Sequence, residues 1–112
     1  MEAGDGRAVF SLPVHPGLLQ ELGTVFGGVI ALLANSASGA AVQTIAPAGT
    51  GFTALDLKVN FVRPARAEDE ELTATGAITH RGRRLSISNA AVTYRGRRIA
   101  IATGTTALTP PE

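Results

Sequence analysis

The sequence predicts an α+β domain in which a curved antiparallel sheet wraps one long, apolar central helix. Three observations carry this. Residues Gly23 to Ala41 read GTVFGGVIALLANSASGAA, and no charged residue occurs between Glu21 and Asp56. A surface helix shows a charged face, so a helix without one must be wrapped by other structure. Four segments with two-residue hydrophobic alternation follow it. The turns His80-Arg81-Gly82-Arg83 and Tyr94-Arg95-Gly96-Arg97 are near copies fourteen residues apart, as expected for one meander of hairpins.

Taken in order, Arg7 to Val14 reads as a short strand, His15-Pro16-Gly17 as a turn and Leu18 to Val25 as a connector. The helix runs from about Gly27 to Ile45. Pro47 ends it by forcing the preceding residue out of helical geometry. In the next strand Thr53, Leu55, Leu57, Val59 and Phe61 share one face, Asp56, Lys58 and Asn60 share the other, and Pro64 terminates it. Further strands are expected at about Glu71 to His80, Arg84 to Tyr94 and Arg98 to Leu108. The apolar phase changes between Ile87 and Ala90, which suggests a bulge or twist there. Pro110-Pro111 closes the chain as a tail.

With 112 residues the chain makes a single domain. Aromatic residues are only 4% of it, so the core must be built from Ala, Val, Leu and Ile, which contribute less burial per residue. Burying further apolar surface in an oligomer would help such a domain. The absence of cysteine excludes disulfides and Cys metal sites and fits a reducing, cytoplasmic compartment. Two isolated histidines give no metal-site spacing. The net charge of +1 argues against wholesale nucleic-acid binding. The uncharged run from Leu22 to Leu55 is broken by Pro47 and several glycines, so no membrane span is expected, and the N-terminus lacks the features of a signal peptide. The charges are uneven: eight of ten Lys and Arg residues lie between Arg63 and Arg98, around a Glu68-Asp69-Glu70-Glu71 run. No GxSxG elbow, P-loop or dinucleotide fingerprint is present.

The helix segment, the strand TALDLKVNFVRPA (Thr53 to Ala65) and the turn HRGRRL (His80 to Leu85) come in an order and spacing that resembles the hotdog-fold acyl-CoA thioesterases. The phenylacetic-acid-degradation (PaaI) type is the branch most similar, over roughly Gln20 to Leu108. The resemblance implies hydrolysis of acyl-CoA without a separate cofactor, coenzyme A being part of the substrate. It also implies a homodimer or homotetramer with active sites at the dimer interface. It makes the Gly27 backbone N–H the oxyanion donor, beside Gly28. The helix N-terminus, with its partial positive charge, suits that task, although Gly27-Gly28 also reads simply as a tight turn. Gln20, seven residues earlier, is expected to hydrogen-bond the thioester carbonyl. Ser38, Thr53 and Ala54 are expected near the pocket. Arg81, Arg83 and Arg84 suit the phosphates of coenzyme A, against the alternative of a solvated turn that blunts a sheet edge.

Two residues depart from the family pattern. Phe26 stands where the family has His, and packing at the helix entry is its better reading. Asn35 stands where the family has Asp or Glu, and an amide is neither a general base nor a nucleophile at neutral pH. A silenced active site, a natural member without thioesterase activity, and another carboxylate such as Glu21 supplying the base all remain open. The first two make a non-catalytic acyl-CoA or acyl-carrier binding module the rival reading. Asn35 is eight positions beyond Gly27, about 12 Å of helix rise. One scissile carbonyl cannot touch both, so a shared reaction requires position 35 of a second chain.

Overall fold

The computed structural model describes residues 2–20, 23–66 and 71–111. Glu21 and most of the acidic run, Glu68 to Glu70, lie outside the described residues. Strands β1 (Glu2–Gly4) and β2 (Arg7–Pro13) precede a 3₁₀ turn at Pro16–Leu18 and the helix α1 (Gly27–Gln43). Strands β3 (Gly51–Phe61), β4 (Glu71–Arg81), β5 (Leu85–Tyr94) and β6 (Arg97–Thr109) follow. All six form one antiparallel sheet in the order β1-β2-β4-β5-β6-β3. The expected strands, helix and meander are present. The sequence reading did not anticipate β1, which adds a three-residue hairpin arm to β2.

The helix lies on one face of the sheet, mainly against β2, β4, β5 and β6. Ile30, Leu33, Ala34, Ala37, Ser38, Ala41 and Val42 are its buried residues. It stops at Gln43 rather than Ile45: the Thr44 N–H still bonds the Ala40 carbonyl at 3.1 Å, but the Ile45 N–H turns to the Val42 carbonyl at 3.2 Å, a tighter turn that ends the helical ladder. The Thr44 hydroxyl donates to the Ala41 carbonyl and accepts the Gly6 N–H, tying the helix end to the β1–β2 turn.

Small residues allow this packing. A Cβ on Gly76 in β4 would fall 2.3 Å from the Ala37 carbonyl oxygen, so the helix backbone rests directly on the strand. In β5 the buried row is Ser86, Ser88, Ala90, Val92 and Tyr94. This corrects the expected phase change: alternation in β5 is unbroken, and Leu85 and Ile87 face away from the helix while two serines face it. The apolar pattern misleads because close approach of the helix selects small side chains there rather than large apolar ones. The ladder irregularity lies in the neighbouring strand, where Thr79 is left over between the pairs Ile78–Ser88 and His80–Ile87.

Strand β3 is also out of phase with its sequence. A register slip between Ala54 and Asp56 leaves Leu55 unpaired. Cross-strand partners share a face, so Leu57 and Val59, opposite Gly104 and Ala102, face the helix, and Ala54, opposite Thr106, joins them. Thr53, opposite Ala107, goes with Asp56, Lys58 and Asn60 on the other face.

The packing generates a stability prediction. Gly76→Ala should cost at least about 1–3 kcal/mol, the range for an overpacked core, because the clash is with backbone that cannot rotate away. Urea unfolding monitored by circular dichroism measures it. An unchanged midpoint would show that the helix can lift off β4 without penalty.

Candidate active site

Helix α1 begins at a junction held by backbone hydrogen bonds. The N-cap residue Phe26 offers no side-chain cap, and its carbonyl accepts from Val29 and Ile30 N–H at 3.1 and 3.3 Å. The N–H groups of Gly27 and Gly28 precede any intrahelical acceptor, which leaves them available to a ligand. Segment 62–66 forms the opposite wall. Val62 and Arg63 N–H both bond the Ile99 carbonyl, and Ala65 accepts the Val25 N–H at 2.9 Å. Arg63 Nη1 reaches the Arg98 carbonyl at 3.0 Å, and the buried Tyr94 hydroxyl donates to the Arg66 carbonyl.

Between these walls is a cavity of 340 Å³ lined by Gln20, Thr24, Gly27, Ile30, Phe61 and Arg63, among others. Gln20 and Gly27, separated by seven positions, therefore meet in space. The cavity is lined by polar residues (Gln20, Thr24 and Arg63), by Gly27 at the helix start, and by apolar ones (Ile30, Phe61 and Val62). A Cβ on Gly27 would lie 3.2 Å from Phe61 Cζ. The Phe61 ring is thus stacked against the helix start, although it is 55% exposed. A polar donor beside an apolar wall suits a carbonyl flanked by hydrocarbon.

Asn35 lies elsewhere. It is exposed and borders a second cavity of 430 Å³ with Gly28, Ala31, Leu32, Ala54, Leu55, Asp56 and Leu57. Asp56 is the acidic residue among these, but its pairing with Thr105 puts it in the outward row. Ser38 is 3% exposed and donates to the Asn35 carbonyl at 3.2 Å, so its hydroxyl is engaged with the helix backbone. Thr53 lines neither cavity, because the slip at Leu55 puts it on the opposite face. Arg81, Arg83 and Arg84 border a third cavity, of 600 Å³, with Ile45, Ala46, Pro47, Leu108 and Pro110. That cavity is at the far end of α1, about 24 Å of helix rise from Gly27.

The two helix cavities open on one uncovered stripe. Gly28, Leu32, Asn35 and Gln43 are exposed along α1, and Leu32 is 65% exposed. Beside them β3, which among the described residues pairs with β6 alone, presents its other edge, with Phe52, Leu55 and Phe61 exposed. Sequence reasoning did not single out Thr24, Phe61, Leu32 or the bordering Asp56. The GTV and VNFVRPA segments contain Thr24 and Phe61, but nothing in their spacing shows that the two meet at Gly27. Among the described residues no cluster of His, Asp or Glu could hold a metal ion, and no helix is long and apolar enough to cross a membrane.

One α-helix among the described residues, lying on a six-stranded antiparallel sheet with its first residue lining a cavity, has the architecture of a hotdog domain. The model of the thioesterase superfamily matches residues 22–101, and the chain belongs to this superfamily of thioester hydrolases. Among solved structures it superimposes on a conserved protein of Pseudomonas aeruginosa with a TM-score of 0.90 and 27% identity, over 96% of this chain and 85% of that one. An asparagine-to-aspartate mutant of the phenylacetic acid degradation protein PaaI from Thermus thermophilus gives 0.87 and 27%, over 98% and 90%. A hypothetical thioesterase from Streptococcus pneumoniae, solved with coenzyme A, gives 0.86 and 26%, over 97% and 86%. A sequence search of curated proteins finds no match.

The wall that faces Gly27 is anchored by Tyr94. Tyr94→Phe should lower stability by about 1 kcal/mol, the usual net value of such a bond. Thermal unfolding checks this, and an unchanged melting temperature would show that the bond does not anchor segment 62–66.

Proposed function

We propose that the protein hydrolyses acyl-CoA thioesters in a site shared by two antiparallel copies. The observation that carries this reading is the uncovered stripe. Gly27 and Asn35 border separate cavities on it, and an uncharged helix face beside an unpaired apolar edge strand is a template for a second copy. A two-fold axis passing near Ala31 places Asn35 of the partner subunit opposite Gly27. In this arrangement Gly27 polarises the thioester carbonyl with help from Gln20, and position 35 faces the attacking water. The Arg81-Gly82-Arg83-Arg84 turn of the same partner lies beyond its Asn35 by about 12 Å of helix rise. That leaves room for the pantetheine arm to run from Gly27 to guanidinium groups that take the nucleotide phosphates. The coenzyme A in the Streptococcus pneumoniae structure supports the ligand class. Ala31, Leu32, Ala54, Leu55 and Leu57 offer an apolar wall for a small aromatic or medium-chain acyl group. A dimer is the minimal unit, pairing of dimers into tetramers is the larger one, and a CoA ester as substrate accords with a cytoplasmic setting.

Asn35 makes the chain a slow hydrolase, because an amide cannot accept the proton of water. Free-thiol release from a panel of acyl-CoA esters, run on the natural chain and on Asn35→Asp, tests the reading. The aspartate form should turn over ~10²–10⁴-fold faster, the usual contribution of a positioned base. Equal rates would move the base elsewhere, with Glu21 the first to substitute. Saturable CoA-ester binding without turnover in either form would support the binding-module reading, which the combination of Asn35 and Phe26 favours.

The arginine turn has its own test. Replacing Arg81, Arg83 and Arg84 together with Ala should raise KM by about tenfold or more, as expected for loss of charge-assisted contacts. It should leave kcat nearly unchanged and weaken the salt dependence of KM. An unaltered KM would return these arginines to the role of a solvated hairpin turn.

A further inference from the structure

Resting on the acyl-CoA reading above, we infer that Thr24 is a positioning residue that aims the Gln20 side-chain amide at the carbonyl held by Gly27. Both residues line the Gly27 cavity. They are also the two ends of one tight loop. The Gln20 N–H bonds the Thr24 carbonyl at 2.9 Å, and the Gly23 N–H bonds the Gln20 carbonyl at 2.9 Å. The positive φ of Gly23, 79°, closes the turn. Across the loop, Gln20 Nε2 donates to Thr24 Oγ1 at 2.5 Å.

The chemistry follows from the donor inventory. A glutamine amide carries two N–H donors on one nitrogen. On an exposed loop the side chain would sample many rotamers and present neither donor reliably. Thr24 engages one N–H and fixes the plane of the amide, leaving the second N–H for a ligand in the cavity. Thr24 is itself held: its side chain is β-branched and stiff at χ1, its backbone bridges to Arg66, and the next residue, Val25, bonds Ala65. The loop therefore converts a mobile amide into a preorganised donor beside the Gly27 N–H, the arrangement that stabilises charge developing on a carbonyl oxygen. Thr24 acts through Gln20 and does not touch the reacting atoms.

The test reads carbonyl polarisation directly. The natural chain, slow in turnover, is saturated with phenylacetyl-CoA labelled with ¹³C at the thioester carbonyl, and the bound resonance is recorded by NMR. The expected result is a downfield displacement in the natural chain and in Thr24→Ser, and a clearly smaller one in Thr24→Val. In the Asn35→Asp background, Thr24→Val should lower kcat by about tenfold, less than the ~10²-fold or more typical of removing an oxyanion donor outright. KM should change little, and Thr24→Ser should restore the rate. Displacement and kcat unchanged in Thr24→Val overturn the proposal while leaving the acyl-CoA reading intact. No displacement in the natural chain, and no turnover of any ester by Asn35→Asp, overturn the acyl-CoA reading and this proposal with it. A second comparison guards against a folding defect in Thr24→Val. In a Gln20→Ala background Thr24→Ser and Thr24→Val should have no further effect on kcat, since coupled residues do not add. A full additional loss there assigns Thr24 a role independent of Gln20 and overturns the proposal.

Discussion

The direct contact between the helix backbone and the sheet governs the rest of this structure. At Gly76 there is no room for even one carbon between β4 and the Ala37 carbonyl. Interiors packed this tightly do not tolerate extra volume, so small residues such as Ala74, Gly76, Ser86, Ser88 and Ala90 recur on the sheet face under the helix. The cost is a core with little large apolar surface: Leu72, Ile99, Val42 and Val92 are the largest fully buried apolar side chains. Much of the bulky hydrophobic surface is left outside, on Leu32, Phe52, Leu55 and Phe61. A domain built this way hides its helix on one side and leaves apolar side chains exposed on the other.

The same constraint arranges the chemistry. Because the helix is seated deeply, its N-terminus meets the segment that leaves β3; the Val25 N–H bonds the Ala65 carbonyl across that junction, and Val62 and Arg63 N–H tie the same segment to the Ile99 carbonyl of β6. Gly27 thereby lines a cavity with residues of that segment. The wall opposite is rigid for a separate reason, the anchorage of Arg66 by the Tyr94 hydroxyl at the end of β5. Both contacts hold the cavity wall without any charged residue on the helix. The arginines are kept at the ends of the sheet, in the β4–β5 and β5–β6 turns and after β3, where solvation costs nothing. One of those groups, at the far end of α1, faces a cavity with an apolar floor of Ile45, Ala46, Pro47 and Leu108.

Much of this was legible in the chain. The charge-free stretch from Leu22 to Leu55 required a wrapped helix, and alternation marked β3 to β6. The spacing of Gly27 and Asn35 separated the two by more than one carbonyl can bridge, and the structure places them in different cavities. Two readings failed, each for its own reason. A phase change between Ile87 and Ala90 follows only if large apolar residues always face inward, and a shared face for Thr53 and Leu57 only if strands pair without slips. Here the close helix puts Ser86 and Ser88 inward, and the unpaired Leu55 inverts the start of β3.

By itself the sequence determined the order of the helix and of strands β2 to β6, the identity of the central helix, and Gly27 and Asn35 as candidate site positions. These are local properties: hydrophobic period, charge content, turn chemistry and residue identity. Only the tertiary structure decided which residues share a cavity. Gln20, Thr24, Gly27, Phe61 and Arg63 come from three separate segments, and their meeting depends on strand register and on how closely the helix approaches the sheet. Neither quantity is encoded in any one stretch of chain, because each is set by side-chain volume summed across strands that lie far apart in sequence.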